Sequence, residues 1–367
     1  MPTADELLGP EVVARLTECL RGADGRRRWV SVEASTAGFA EQGLSERVRA
    51  VQAALLEDLP PSYAASARIV RRALRGEDFD GWMIWPVGEA VAARAVASEH
   101  DDDFEDGLAL LAELTPRLSS EFAIRTFLAA DLDRSLRTVR TWTEHPDEHV
   151  RRLASEGTRP RLPWARRVRE LIERPGVTIP ILDALHDDPS EYVRRSAANH
   201  LNDVSRLDPA LAVATARGWL REGDAESART VKRALRTLIK GADSDALALF
   251  GFTAPRDLVV EGILLEPEVV RVGEALGFAA TITNAGTTAC DLAIDYVVGH
   301  RKANGELSPK VFKLTTVRLE PGERAELSRR HSFKPITTRR YYPGPHTIEL
   351  QVNGARFGLA EFELLAP

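Results

Sequence analysis

Between Tyr192 and Pro209 the chain reads YVRRSAANHLNDVSRLDP, and its polar residues are not the Lys and Glu of a plainly solvated helix face. Val193, Ala197, Leu201 and Val204 recur at helical spacing and form an apolar stripe. At about 100° per residue, Tyr192, Arg195, Ser196, Asn199, Asp203 and Arg206 share one flank beside it. A carboxylate among arginines has two readings. It is a structural ion-pair network between helices, or a negative centre inside a phosphate-binding groove, suited to stabilising positive charge beside a nucleic-acid backbone.

A repeat extends this face. HPDEHVRRLASE starts at His145 and DPSEYVRRSAAN starts at Asp188, 43 residues later, with a looser echo, VKRALR, from Val231. A period in the forties fits the helical units of HEAT-type solenoids, in which equivalent positions line one surface. Alignment of the copies sets His149 opposite Tyr192, Arg152 opposite Arg195 and Glu156 opposite Asn199, so Glu156, Asn199 and Asp203 are expected on one wall. Between the copies lies GTRPRLPWARR, where Gly157 ends a helix and Pro160 and Pro163 keep the chain extended. Trp164 is expected at the next helix entrance, either stapling two helices or presenting its indole to a base or sugar. Upstream, in LTPRLSSEFAIRTFL, Glu121 reads as a first-turn glutamate favoured by the helix dipole. The eight histidines lack metal-ligand spacing, and the chain has neither a phosphate-cradling Gly-rich loop nor a Ser-His-Asp signature. Trp82 and Trp85 read as packing residues. Nothing asks for a metal or a cofactor.

These residues need a scaffold, and 367 residues suffice for two domains. To about residue 250 the pattern is helical, with short Pro, Gly and Asp turns. Beyond it, RDLVVEGILL, ALGFAATITN, LAIDYVV, VFKLTTVRL, HTIELQV and FGLAEFELL alternate like strands, which predicts an immunoglobulin-like sandwich of seven or so strands. The expected architecture is an all-α HEAT-like repeat solenoid over residues 1–253 followed by an all-β sandwich over 254–367. A composition of 44% hydrophobic and 28% charged residues is that of a soluble globular protein. No apolar run approaches a membrane span, and MPTADELLGPEVV has no signal-peptide layout. Cys19 and Cys290, expected in different domains, imply a reduced, cytoplasmic protein without disulfides. The formal net charge of −6 argues mildly against nucleic acid as a partner, yet His149–Arg174 holds eight arginines against three acids, and Arg301–Arg340 holds eleven Lys/Arg against four Glu. Phosphate binding follows such local fields more than net charge.

YVRRSAANHLND, HVRRLASEGTRPRLPW, LTPRLSSEFAIR and KRALRTLIKG together resemble the AlkC/AlkD family of HEAT-like-repeat DNA glycosylases. The SSEFAIR and HVRRLASEG-RPRLPW runs look like the AlkC branch, some members of which carry a C-terminal immunoglobulin-like domain. The resemblance covers roughly residues 5–250; Ala197 for the common Val and Arg195 for the common Lys are conservative departures. It implies monofunctional excision of bases made cationic by alkylation, N3-methylcytosine and N3-methyladenine, from duplex DNA in base excision repair by a monomeric bacterial enzyme. Carried over motif by motif, it implies Glu121, Glu156, Asp203 and Trp164 as catalytic positions, Glu121 on the resemblance alone. Arg152, Arg159, Arg161, Arg195 and Arg206 are then expected on phosphates, with Asn199 in the same groove. The basic loops of the sandwich, with Arg301, Lys302, Arg339 and Arg340, are expected to clamp the duplex. The alternative is a catalytically silent scaffold for damaged or branched DNA.

Overall fold

The two copies of the repeated motif fold into equivalent helices, Glu148–Glu156 and Glu191–Val204, whose first residues lie 43 positions apart (191 minus 148). The structure, a computed structural model, describes residues 3–222, 225–253, 257–337 and 339–367. Val150, Leu153 and Ala154 in the first helix, and Val193, Ala197, Leu201 and Val204 in the second, are all fully buried. Removing each Val or Leu side chain from water stabilises the fold by roughly 1.5–3 kcal/mol. The first arginine of each VRR triplet explains why the repeat is written twice. Arg151 donates to the His145 and Pro146 carbonyls and, at 2.7 and 3.1 Å, to both oxygens of Asp188. Arg194 donates to the Asp188 and Pro189 carbonyls and reaches Glu226 at 3.2 Å. Each therefore ties its own helix entry to an acid of the following repeat. The second arginines, Arg152 and Arg195, lie about 100° further round.

The chain divides into two units, Met1–Leu235 and Arg236–Pro367. The boundary expected after residue 253 abuts residues 254–256, which lie outside the described residues. The short helices Arg236–Gly241 and Ser244–Ala248 fall in the second unit. Local contacts attach them there. Asn353 donates to the Thr253 carbonyl at 2.8 Å, and Gly354 lies so close to Ala242 that a β-carbon would sit 2.7 Å from its carbonyl oxygen. Cys19 and Cys290 are both free thiols, one in each unit.

Among the described residues the second unit holds eight strands: β1 (Leu258–Glu266), β2 (Val269–Arg271), β3 (Ala275–Asn284), β4 (Cys290–Arg301), β5 (Leu307–Leu319), β6 (Arg324–Ser332), β7 (Gly344–Val352) and β8 (Ala355–Leu365). They form one sheet ordered β1-β3-β6 and another ordered β2-β8-β7-β4-β5, antiparallel except where β2 pairs with β8. Alternation explains the sandwich: Leu276, Ile282, Leu292, Ile294, Val298, Ile348, Leu350 and Leu364 are fully buried between the sheets. Two strands escape the sequence pattern. β2 is only three residues long, and β6, RAELSRRHS, exposes most of its residues.

Candidate active site

The site is built on the first unit, where the SSEFAIR segment meets the end of the helix Glu148–Glu156. Arg125, 1% exposed, donates to the backbone carbonyls of Gly157, Arg159 and Arg166 at 3.1, 2.9 and 2.6 Å. One buried guanidinium thus pins the whole turn that follows the helix. Burial, with Arg166 and Arg159 near, draws Arg125 down to about 10, which leaves it charged at neutral pH. Gly157 is required by close approach: a β-carbon there would meet Ile124 Cγ2 at 2.7 Å. Buried His200 donates from Nδ1 to the Ser155 carbonyl, which leaves Nε2 to accept from Thr178 Oγ1.

This frame places three carboxylates on one chain of ion pairs. Glu121 Oε2 accepts from Arg152 at 2.6 Å and from Ser119 Oγ at 3.0 Å. Arg152 Nη2 lies 3.6 Å from Glu156, whose other oxygen accepts from Arg159 at 2.6 Å, and Arg159 Nε reaches Asp203 at 2.8 Å. Ser196 Oγ donates to Glu156 at 2.7 Å and accepts from Ser155 Oγ at 2.6 Å. Side chains of the five charged residues are 7–17% exposed. Three carboxylates meet two guanidiniums along this chain, and Arg206 adds positive charge near Asp203. The acids differ. Burial alone would raise Glu156, but Arg152 and Arg159, with Ser196, hold it below the usual carboxylate range. Burial dominates at Asp203 and raises it against the pull of Arg159.

Glu121 departs from the expected first-turn position: it lies in the turn before the helix Ile124–Ala130 and pairs with Arg152 and Ser119. It borders a cavity of about 430 Å³ lined by Trp82, Trp85, Phe122, His149, Arg152 and Tyr192, among others. Trp85 stacks on Phe122 with ring centroids 4.3 Å apart. On the opposite wall His149 meets Tyr192 edge to face at 5.6 Å, as the repeat alignment requires, and Arg152 lies 5.2 Å over the Tyr192 ring. Trp82 and Trp85 pack, as expected, and also line this cavity. Their spacing of three helical positions was the available signal, but only folding sets them beside Glu121, almost 40 residues on.

The remaining candidates scatter. Arg159 was expected on phosphates; it is 8% exposed and turned inward between Glu156 and Asp203. Arg152 is likewise held by carboxylates. Arg161, Arg195 and Arg206 are exposed, and Asn199 is half-buried. Trp164 staples no helices, because its side chain is 82% exposed and the next helix begins only at Arg169. Its backbone is left-handed, with φ at 63°, a conformation that a bulky residue adopts only at a cost of order 1 kcal/mol. In the second unit, Lys302 pairs with Glu306 at 3.4 Å and Arg340 lies 5.4 Å over Tyr342. Arg301 packs across Gly344, whose φ of 124° and missing β-carbon admit the guanidinium. Arg339 donates to His300 Nε2 at 2.7 Å. No group of His, Cys, Asp or Glu among the described residues is arranged to hold a metal, and no described helix is long and apolar enough to cross a membrane.

Comparison with known proteins agrees with this architecture. Residues 259–366 match the family described as "Uncharacterised protein YhaZ, C-terminal Ig-like domain". The chain is 35% identical to YhaZ of Bacillus subtilis (strain 168) over 314 residues, covering 86% of this chain and 85% of that protein. It is also similar, at 32% identity and a TM-score of 0.81 over the whole of both chains, to the solved Pseudomonas fluorescens alkylpurine DNA glycosylase AlkC bound to DNA containing an abasic-site analogue. Agreement in sequence, in fold and in the trailing domain shows that the chain belongs to the AlkC/AlkD family, on the branch of AlkC and YhaZ that carries a C-terminal immunoglobulin-like domain.

Proposed function

We propose that the protein is a monofunctional DNA glycosylase that releases alkylated bases from duplex DNA, with N3-methylcytosine and N3-methyladenine as its substrates. The observation that carries this reading is the enclosed chain Glu121–Arg152–Glu156–Arg159–Asp203, which gathers three carboxylates and brings Glu121 to the edge of the cavity. An N3-alkylated base is itself positively charged, so it is attracted to carboxylates and is a good leaving group without a general acid. Its departure leaves an oxocarbenium-like sugar, the charge problem that glycosidases meet with carboxylates. Glu121, beside the cavity, orients or deprotonates the attacking water. Glu156 and Asp203 supply negative field, and the exposed indole of Trp164 offers its π face to the deoxyribose. Arg152 and Arg159 hold the carboxylates in register, so phosphate contacts fall to Arg161, Arg195 and Arg206, with Asn199 beside them. The duplex is bent so that the lesion's sugar is reached from the side, instead of by the usual extrusion of the base. The sandwich adds a second DNA contact through Arg301, Lys302, Arg339 and Arg340. The similarity to AlkC over the full chain supports the same reading.

The test is release of free base from duplex oligonucleotides containing N3-methylcytosine or N3-methyladenine, by the wild type and by Glu121→Gln. Release by the wild type and its loss in the variant, with DNA binding retained, is the expected outcome. Tight, salt-sensitive binding without release from either substrate would instead establish a silent DNA-binding scaffold.

A further inference from the structure

The repeat breaks its apolar stripe at one position. Where the first copy places Leu153, fully buried, the second places Ser196 at the equivalent position, only 2% exposed. A hydroxyl in a core position needs partners, and Ser196 has two. It accepts from the fully buried Ser155 Oγ at 2.6 Å and donates to Glu156 Oε2 at 2.7 Å. With Ser155 on its acceptor side, the one proton of Ser196 is aimed at the carboxylate. The same oxygen, Oε2, faces Arg152 Nη2 at 3.6 Å, beyond hydrogen-bond reach. Arg152 donates instead to Glu121 at 2.6 Å and to Ser119 Oγ at 3.2 Å. The other oxygen of Glu156 is taken by Arg159 at 2.6 Å.

Two enclosed acids thus compete for the guanidinium of Arg152. We propose that Ser196 is a positioning residue that decides this competition: by satisfying Glu156 Oε2 it leaves Arg152 to Glu121, and so holds Glu121 at the edge of the cavity. Its role rests on the glycosylase reading above, in which Glu121 handles the attacking water. Without the hydroxyl, Oε2 would be a buried carboxylate oxygen lacking a donor, a cost large enough to draw Arg152 across. Glu121 would then keep only Ser119 Oγ, and the water it orients would lose its place. Ser155 would not be stranded, because its hydroxyl has a second acceptor in the Arg152 carbonyl at 3.1 Å. The loss therefore falls on the partner of Arg152 and spares the fold. Ser196 acts only through Arg152 and Glu121, with no part in bond cleavage.

Crystal structures of the full-length wild type and Ser196→Ala, together with single-turnover base release from a duplex containing N3-methylcytosine, test this role. In Ser196→Ala, Arg152 should stand about 3 Å from Glu156 and have left Glu121; Arg152 still paired with Glu121 overturns the proposal. Base release should fall about ten- to a hundredfold, with DNA affinity unchanged. In a Glu121→Gln background the same substitution should cost no more than about a further twofold, because the neutral side chain has already given up its claim on Arg152. A loss that multiplies in full in both backgrounds is the mark of a merely structural serine and overturns the proposal. Should Ser196→Ala fail to give a cooperative melt, Ser196→Cys, whose thiol is a weak donor, is read in the same way. Absence of base release by the wild type would sink the glycosylase reading, whereas the partner of Arg152 in the two crystal structures decides the role of Ser196 directly, so the two failures are separable.

Discussion

The two units bury most of their ionisable groups by opposite means, with His200 of the helical unit the exception, held down to about 3 chiefly by burial. In the helical unit, Arg151, Arg152 and Arg159 meet carboxylates and Arg125 meets three backbone carbonyls, so charge is enclosed and kept. In the sandwich, His300, His331 and His346 are buried among Tyr296, Phe312, Phe333 and Phe362, and each has a ring nitrogen without a hydrogen-bond partner. Only His346 feels a nearby carboxylate, Glu363, which does not outweigh its burial, and Arg339 adds positive charge beside His300. Burial, aided by neighbouring cations, therefore pulls His300 down to about 3 and His331 down to about 4. Burial lowers His346 too. Pairing preserves a charge for use, while an apolar wall discards it.

Breaking the paired network should produce the largest effect. Glu156→Gln leaves Arg152 and Arg159 each short of a partner, and removing one member of a buried pair costs about 3–5 kcal/mol. A clear drop in Tm together with loss of base release is expected; an unchanged Tm would show that the network contributes little to the fold. Glu121→Gln, on the cavity rim, should instead keep its Tm near that of the wild type while base release falls by about 10²–10³-fold.

Acid should separate the two units. A histidine whose folded value lies below its ordinary 6.5 contributes nothing above that pH, and stability is lost as pH falls toward the folded value because only the unfolded chain takes the proton. His331 alone can withdraw up to about 3 kcal/mol by pH 4. Glu156, held low, keeps its contribution above its ordinary 4.5 and loses it only below that pH; Asp203, raised by burial, works in the opposite direction. His200 withdraws stability from the helical unit over the same window, but the sandwich holds three such histidines, so amide exchange between pH 6.5 and 4.5 should show the sandwich loosening before the helices, and His331→Phe should flatten that limb. Loosening of the helices first would contradict the contrast.

Smaller effects test the exposed residues. Arg161→Ala, Arg195→Ala and Arg206→Ala should each reduce the slope of log affinity against log salt by about one, with little change in Tm. Arg159→Ala should behave unlike them, lowering Tm because Glu156 and Asp203 lose their shared cation. Trp164→Ala should move stability by no more than about 0.5 kcal/mol, as expected of an exposed side chain, yet slow base release measurably. Equal release rates would remove the indole from the chemistry.

Periodicity alone determined the larger divisions. Apolar residues at helical spacing built the paired helices, alternation built most of the sandwich, and the 43-residue repeat set His149 beside Tyr192. These follow from local geometry, which a linear pattern records. β6 escaped because most of its residues face solvent, and β2 because three residues carry no period. Within the site, helical spacing brought Glu156 and Asp203 into view, but Glu121 read as a helix cap and Trp82 and Trp85 as packing. Which arginines face inward was also beyond the pattern: Arg159 and Arg161 are two residues apart, yet one joins two enclosed carboxylates and the other is exposed. Only the tertiary structure decides this, because the partner of a buried charge is chosen by segments about 30 to 45 residues distant in sequence, and burial sets how strongly the pair must hold.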